Sequence, residues 1–170
     1  MIGADIREAA KRVLDLCRAS GVHVVTAESC TGGLVAAALT EIPGSSDVVD
    51  RGFVTYSDDA KREMLGVPAA TLKRHGAVSA RTAKAMAVGA LKNSRADLAV
   101  SITGIAGPGG GSKQKPVGLV YFAAASRDGR RIARKRLYGA IGRRRVRLRS
   151  VLEALALLRL LSRAARRTGN

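Results

Sequence analysis

Ala27-Glu28-Ser29-Cys30-Thr31-Gly32-Gly33 lies between an apolar β-like run, Val22 to Thr26, and an apolar helix-like run, Leu34 to Leu39. A buried strand that turns through two glycines into a helix opens an α/β reading of the whole chain. The same turn is a place where chemistry can be built. Glycines let backbone approach a ligand closely, and the first N–H groups of a helix have no intrahelical partner. The plainer interpretation is a helix cap by Ser29 or Thr31, with the glycines making the turn. The remaining sequence has to decide between them.

On the amino-terminal side, Ile6, Ala9, Ala10, Val13, Leu14, Leu16 and Cys17 repeat at helical spacing within Ile2 to Ala19, and Gly21 can close that helix. On the carboxy-terminal side a helix from about Gly32 to Glu41 stops at Pro43-Gly44-Ser45-Ser46. Val48 to Tyr56 is β-rich, and Ser57-Asp58-Asp59 offers a cap for a short helix through Lys61 to Leu65. Another helical turn spans Ala69 to Arg74. Ser79 caps an Ala-rich helix, Ala80 to Lys92, before a third strand from Asp97 to Thr103 that is almost wholly apolar and so reads as central. Val117 to Ser126 and Arg131 to Tyr138 form a hairpin around Arg127-Asp128-Gly129-Arg130, and a helix from Arg143 to about Arg166 ends the chain. Helices interleaved with strands predict a three-layer α/β/α sandwich with a mostly parallel sheet, its last strand antiparallel to its neighbour.

Bulk properties agree with one globular domain of 170 residues, 46% hydrophobic and 3% aromatic. Apolar runs are short and broken by charge, which predicts no membrane span. Asp5, Arg7, Glu8, Lys11 and Arg12 argue against a signal peptide. Cys17 and Cys30 are too few for a disulfide framework and lack zinc-site spacing, so a reduced, cytoplasmic protein without a metal is expected. The net charge of +17 is concentrated between Arg127 and Arg167, where fifteen Arg or Lys face only Asp128 and Glu153. This third predicts non-specific polyanion attraction. Almost no aromatic residues are interleaved for base stacking, so a solvated helix face and hairpin edge explain it better than specific nucleic-acid recognition.

Ligands in open α/β sheets bind at the carboxyl ends of parallel strands. Three such ends are polar or glycine-rich here: Glu28-Ser29, Thr55-Tyr56-Ser57 and Thr103-Gly104. Their convergence raises Ser29 above a mere cap. A serine nucleophile needs a base and oxyanion donors. His23, inside the first run, reads as a packed core residue, and His75 as a solvent-facing turn residue, so no Ser-His-Asp triad is expected. Lys61 is the remaining candidate, one turn into its helix, provided that burial or a cationic neighbour lowers its pKa. Tyr56 could stand between the two and relay or orient the proton. The glycine loop Thr103 to Ser112 suits an anion. It matches neither a P-loop nor GxGxxG, because Ser112 takes the place of the required glycine. Lys115 puts a cation beside the loop.

Taken together, Ala27 to Gly33, Pro43-Gly44-Ser45-Ser46, Val54-Thr55-Tyr56-Ser57 with Lys61, Leu65-Gly66-Val67, Gly76-Ala77-Val78-Ser79, Thr103 to Pro108 and Lys115-Pro116-Val117-Gly118 resemble the CinA carboxy-terminal domain family over residues 5 to 160. The resemblance implies a five-stranded mixed sheet between helical layers. It also implies nicotinamide-nucleotide amidase activity without a cofactor: hydrolysis of nicotinamide mononucleotide to nicotinate mononucleotide and ammonia. By this resemblance Ser29 is the nucleophile, Lys61 the general base and Tyr56 an assisting hydroxyl. Thr31, Gly32 and Gly33 would hold the oxyanion, and Ser45, Thr103, Gly104, Gly107, Lys115 and Arg143 would bind the nucleotide substrate. A homodimer is compatible with it. One departure is visible. Where the family usually carries Gly-Asp-Arg before the final helix, this chain has Ile141-Gly142-Arg143, keeping the arginine but not the carboxylate. Two other functions compete: a non-catalytic pyridine-nucleotide-binding module, favoured by that departure, and a competence- or DNA-damage-related binding protein, favoured by the basic third.

Overall fold

The computed structural model describes residues 2–165. The chain runs α1 (Ala4–Arg18), β1 (Val24–Glu28), α2 (Leu34–Thr40), β2 (Val49–Val54), α3 (Asp58–Leu65), α4 (Ala69–His75), α5 (Ala80–Lys92), β3 (Leu98–Gly104), β4 (Leu119–Ser126), β5 (Arg131–Leu137) and α6 (Arg143–Ala165). The end expected for α6 at Arg166 lies outside the described residues.

The five strands form one mixed sheet in the order β2-β1-β3-β4-β5. β1 pairs in parallel with both β2 and β3, whereas β3–β4 and β4–β5 are antiparallel. β5 is therefore antiparallel to its neighbour, as expected, and β4 is the strand that runs against the other four. Between β3 and β4 the chain has a glycine loop and no helix, so it returns alongside β3 rather than crossing over.

Side-chain alternation assigns the two faces. Val24 of β1, Leu98, Val100 and Ile102 of β3, and Val120, Phe122 and Ala124 of β4 pack with α1, α2 and α6. Val25, Ala27, Ala99, Ala123 and Ala125 face α5 and the ends of α3 and α4. The second face is built almost entirely from small residues, so α5 sits close to the sheet. It also sits close to α3. A Cβ on Gly89 would lie 1.9 Å from the Leu65 carbonyl oxygen, a backbone atom that cannot swing aside. Gly89→Ala is expected to cost about 3 kcal/mol, read as a lower urea midpoint with unchanged slope, because α3 must be pushed off α5.

Three local differences from expectation have physical causes. β1 begins at Val24 and extends to Glu28, two residues later than the apolar run suggests, because the Glu28 carboxylate is buried by helix N–H groups. His23 is consequently outside the strand and exposed, correcting the core assignment. Its backbone N–H donates to Asp97 Oδ2 at 2.7 Å, and Nδ1 stands 3.6 Å from the same oxygen. The basic third is partly used structurally: Arg134 and Arg136 both bind Glu153, and Arg127 caps the carbonyls of Leu91, Ser94 and Ala96.

Candidate active site

The carboxyl ends of β1, β2 and β3 meet one cavity of about 280 Å³, lined among others by Ser29, Cys30, Tyr56, Lys61, Val78, Thr103, Gly107 and Arg143. A larger hollow of about 630 Å³ between α2 and α6 shares Arg143 but includes neither Ser29 nor Lys61. Ser29 and Lys61 line the smaller one.

Ser29 directly follows β1, and its backbone N–H donates to the Ile102 carbonyl of β3 at 2.9 Å. Ser29 is thus held by the centre of the sheet. The following turn reverses through Gly32 (φ +60°) and Gly33 (φ +91°), a left-handed region where other residues would be strained. Glu28, fully buried, accepts hydrogen bonds from the N–H groups of Gly33, Val35 and Ala36 at 2.9–3.0 Å. It caps α2 from the strand side, in a helix that has no acidic residue in its own first turn. The cap alters the expected oxyanion site. Gly33 N–H is taken by Glu28, and Gly32 N–H by the Ser29 carbonyl at 3.0 Å. Among the described residues, the N–H groups of Ala106 and Gly107, which line the cavity, donate to no acceptor; the Thr31 N–H donates to none either, but Thr31 is fully buried and outside the cavity lining.

Lys61 reaches Ser29 directly. Ser57 caps α3 by accepting from the Ala60 N–H at 3.0 Å, which fixes Lys61 one turn into the helix. The lysine is only 1% exposed, and Nζ lies 3.3 Å from Ser29 Oγ. Nζ also donates to the carbonyls of Thr55, Tyr56 and Ser57 at 3.1, 3.4 and 3.3 Å. Burial lowers its proton affinity below the ordinary lysine value, with Asp58 pulling the other way. The neighbouring Cys30 thiol is pushed up to about 12 by burial, so it stays neutral beside the amine.

Tyr56 lines the cavity, but its hydroxyl is not between Ser29 and Lys61. It accepts from the Arg143 guanidinium at 2.9 Å, while the same group donates to the Gly107 carbonyl at 3.0 Å. Arg143 therefore bridges two walls at the cavity mouth, despite the altered triplet. Gly142 (φ +93°) precedes α6, and its carbonyl accepts the Val146 N–H at 3.0 Å, so the helix starts without the carboxylate.

Thr103, Gly104 and Gly107 line the cavity, with Thr103 Oγ1 donating to the Ala77 carbonyl at 2.9 Å. Two expected substrate contacts lie elsewhere. Ser45 precedes β2, at the opposite end of the sheet from Ser29, because β1 and β2 are parallel. Lys115 is not in the cavity lining: its Nζ donates at 2.7 Å to the His75 carbonyl, an unpartnered acceptor at the end of α4. Sequence reasoning missed Glu28, Asp58 and Arg147, whose guanidinium donates to the Thr31 carbonyl at 2.8 Å. For Glu28 a signal existed, a lone acid closing an apolar strand before a helix without its own cap.

Among the described residues, no three His, Cys, Asp or Glu side chains could hold a metal ion together. No helix there is long and apolar enough to cross a membrane.

Comparison with known proteins follows the same pattern. A model of the CinA C-terminal domain family matches residues 6–161. The nicotinamide-nucleotide amidohydrolase PncC of Escherichia coli K12 is 51% identical over 138 residues, covering 81% of this chain and 84% of that protein. A putative competence-damage inducible protein of Caldicellulosiruptor bescii is 55% identical over 126 residues, 74% of this chain but only 31% of its own length. Among solved structures, the competence/damage inducible protein CihA from Agrobacterium tumefaciens superposes with a TM-score of 0.94 at 56% identity, covering 95% of this chain and 98% of that one.

Proposed function

Because the chain belongs to the CinA C-terminal domain family, we propose that it is a nicotinamide-nucleotide amidase acting as a single domain, with Ser29 as nucleophile and Lys61 as base. The observation that carries this reading is the buried Lys61 amine 3.3 Å from Ser29 Oγ, at the floor of a cavity large enough for part of a nucleotide. Its 51% identity to a nicotinamide-nucleotide amidohydrolase supports the substrate.

The steps balance on these residues. Neutral Lys61 takes the Ser29 proton as Oγ attacks the ring carboxamide carbon. The oxyanion meets N–H groups of the cavity lining that have no internal acceptor, Ala106 and Gly107 among them; one such donor is typically worth roughly 3–4 kcal/mol of barrier. The Lys61 ammonium then gives its proton to the departing nitrogen, releasing ammonia and leaving a nicotinoyl ester on Ser29. Lys61 next activates a water that cleaves the ester, and nicotinate mononucleotide leaves. With Lys61 in direct contact, Tyr56 is not needed as a relay; through Arg143 it shapes the cavity mouth. Arg143 and the Gly104 to Gly107 backbone are the groups suited to the substrate phosphate.

The same reading places the protein in the cytoplasm, where the buried free thiols of Cys17 and Cys30 stay reduced. It includes a homodimer, and non-specific polyanion attraction through exposed arginines of β5 and α6. The test is ammonia release from nicotinamide mononucleotide by the folded wild-type protein. Release well above a buffer control is the expected result; none at any pH between neutrality and 10 would remove the amidase reading.

A further inference from the structure

Around the Lys61 amine, one group has no part in the steps above. Asp58 opens α3 one turn before Lys61, and its Oδ1 stands 3.8 Å from Nζ. Its side chain is 56% exposed while Lys61 is 1% exposed, so the carboxylate sits at the water's edge of a buried cation site. The other neighbours of Nζ carry no charge of their own: the Ser29 hydroxyl, the carbonyls of Thr55, Tyr56 and Ser57, and the neutral Cys30 thiol. Arg143 is across the cavity, with its guanidinium engaged by Tyr56 and Gly107. Asp59 is turned to Arg62 at 3.3 Å. Among the described residues, Asp58 is thus the one anionic side chain against the amine.

We propose that Asp58 is a positioning residue for the base: its carboxylate sets the pH at which Lys61 becomes free to take the Ser29 proton. This rests on the amidase reading for its catalytic meaning, but not for its test. Burial alone disfavours the ammonium and makes the lysine a weaker proton acceptor. A carboxylate at 3.8 Å offsets part of that and favours the ammonium formed when Ser29 attacks. Because Asp58 is half in water, its influence is moderate and screened by salt.

The experiment compares wild type with Asp58→Asn, which keeps the side-chain shape. Lys61 is titrated directly through its ¹³Cε signal, identified by its absence in Lys61→Arg, and the acid limb of kcat/KM is followed in parallel. Removing the carboxylate disfavours the ammonium. The Lys61 midpoint and the acid limb are therefore both expected to move to lower pH, by roughly half to one unit at low ionic strength. The wild-type-to-variant difference shrinks near 1 M salt, where the screening length is about 3 Å, and Asp58→Glu keeps most of the wild-type midpoint. A Lys61 midpoint that stays put or rises in Asp58→Asn overturns the proposal whatever the activity. A midpoint that falls in a protein without turnover upholds Asp58 and removes the amidase reading instead.

Discussion

Ser29→Ala is expected to lower kcat for nicotinamide mononucleotide by about 10⁴-fold or more while leaving the fold and substrate binding intact. Loss of a nucleophile alone removes most of the catalysis that such a machine supplies, because base and oxyanion donors then have nothing to act on. The fold has little stake in the hydroxyl. Ser29 is held through its backbone N–H to Ile102, and its side-chain contact is the 3.3 Å approach of Lys61. Stability should therefore change by no more than about 1 kcal/mol. The decisive comparison is turnover beside substrate affinity from calorimetry. Equal turnover by wild type and variant would sink the serine mechanism. Loss of binding together with turnover would point to a collapsed turn rather than a missing nucleophile.

Lys61→Met should cost about 10²- to 10⁴-fold in kcat, the usual contribution of a positioned acid–base group. Methionine fills the same channel without an amine, so Ser29 stays in place but has no proton acceptor. A second readout follows from linkage. The folded protein holds the Lys61 proton less tightly than the unfolded chain, whose lysine titrates near 10.5. Between the lowered folded value and 10.5 the unfolded state binds more protons, so this group makes wild type more stable as pH rises. That contribution is complete above 10.5 and lost as pH falls through the folded value. Lys61→Met has no such group, so the wild-type-minus-variant stability should grow with pH across that window. Urea midpoints at neutral and alkaline pH measure it. A difference that is flat or falls with pH would mean that Lys61 is not the buried, weakened base described here.

Much of this site was legible in the sequence because it follows strand ends. Ser29, Thr55 to Ser57 and Thr103-Gly104 each interrupt apolar or β-branched runs, and parallel pairing of β1 with β2 and β3 brings those interruptions together. Lys61 was legible through Ser57, whose capping role fixes the helix start and hence the lysine's height above the sheet. What escaped reading depends on side-chain direction. A lone acid closing an apolar strand hints at Glu28 but does not say that its carboxylate turns onto the N–H groups opening α2, and that turn decides which N–H groups remain open. Ser45 and Lys115 were placed at the site by motif resemblance. In space Ser45 lies before the start of β2, at the other end of the sheet, and a free carbonyl at the end of α4 captures Lys115. His23 failed for a simpler reason: a two-residue shift of β1 moved it out of the sheet.

The positions of the proposed nucleophile and base in the sheet have an evolutionary consequence. Ser29 ends a strand paired on both sides, so changes around it disturb the core and are costly. Lys61 follows β2, which is paired on one side only and leads into a short helix with a largely exposed outer face. Substitutions there, at Asp58 among others, can retune the base while the nucleophile's supports stay untouched. Drift at this edge of the domain can thus adjust the working pH of the chemistry at little risk to folding.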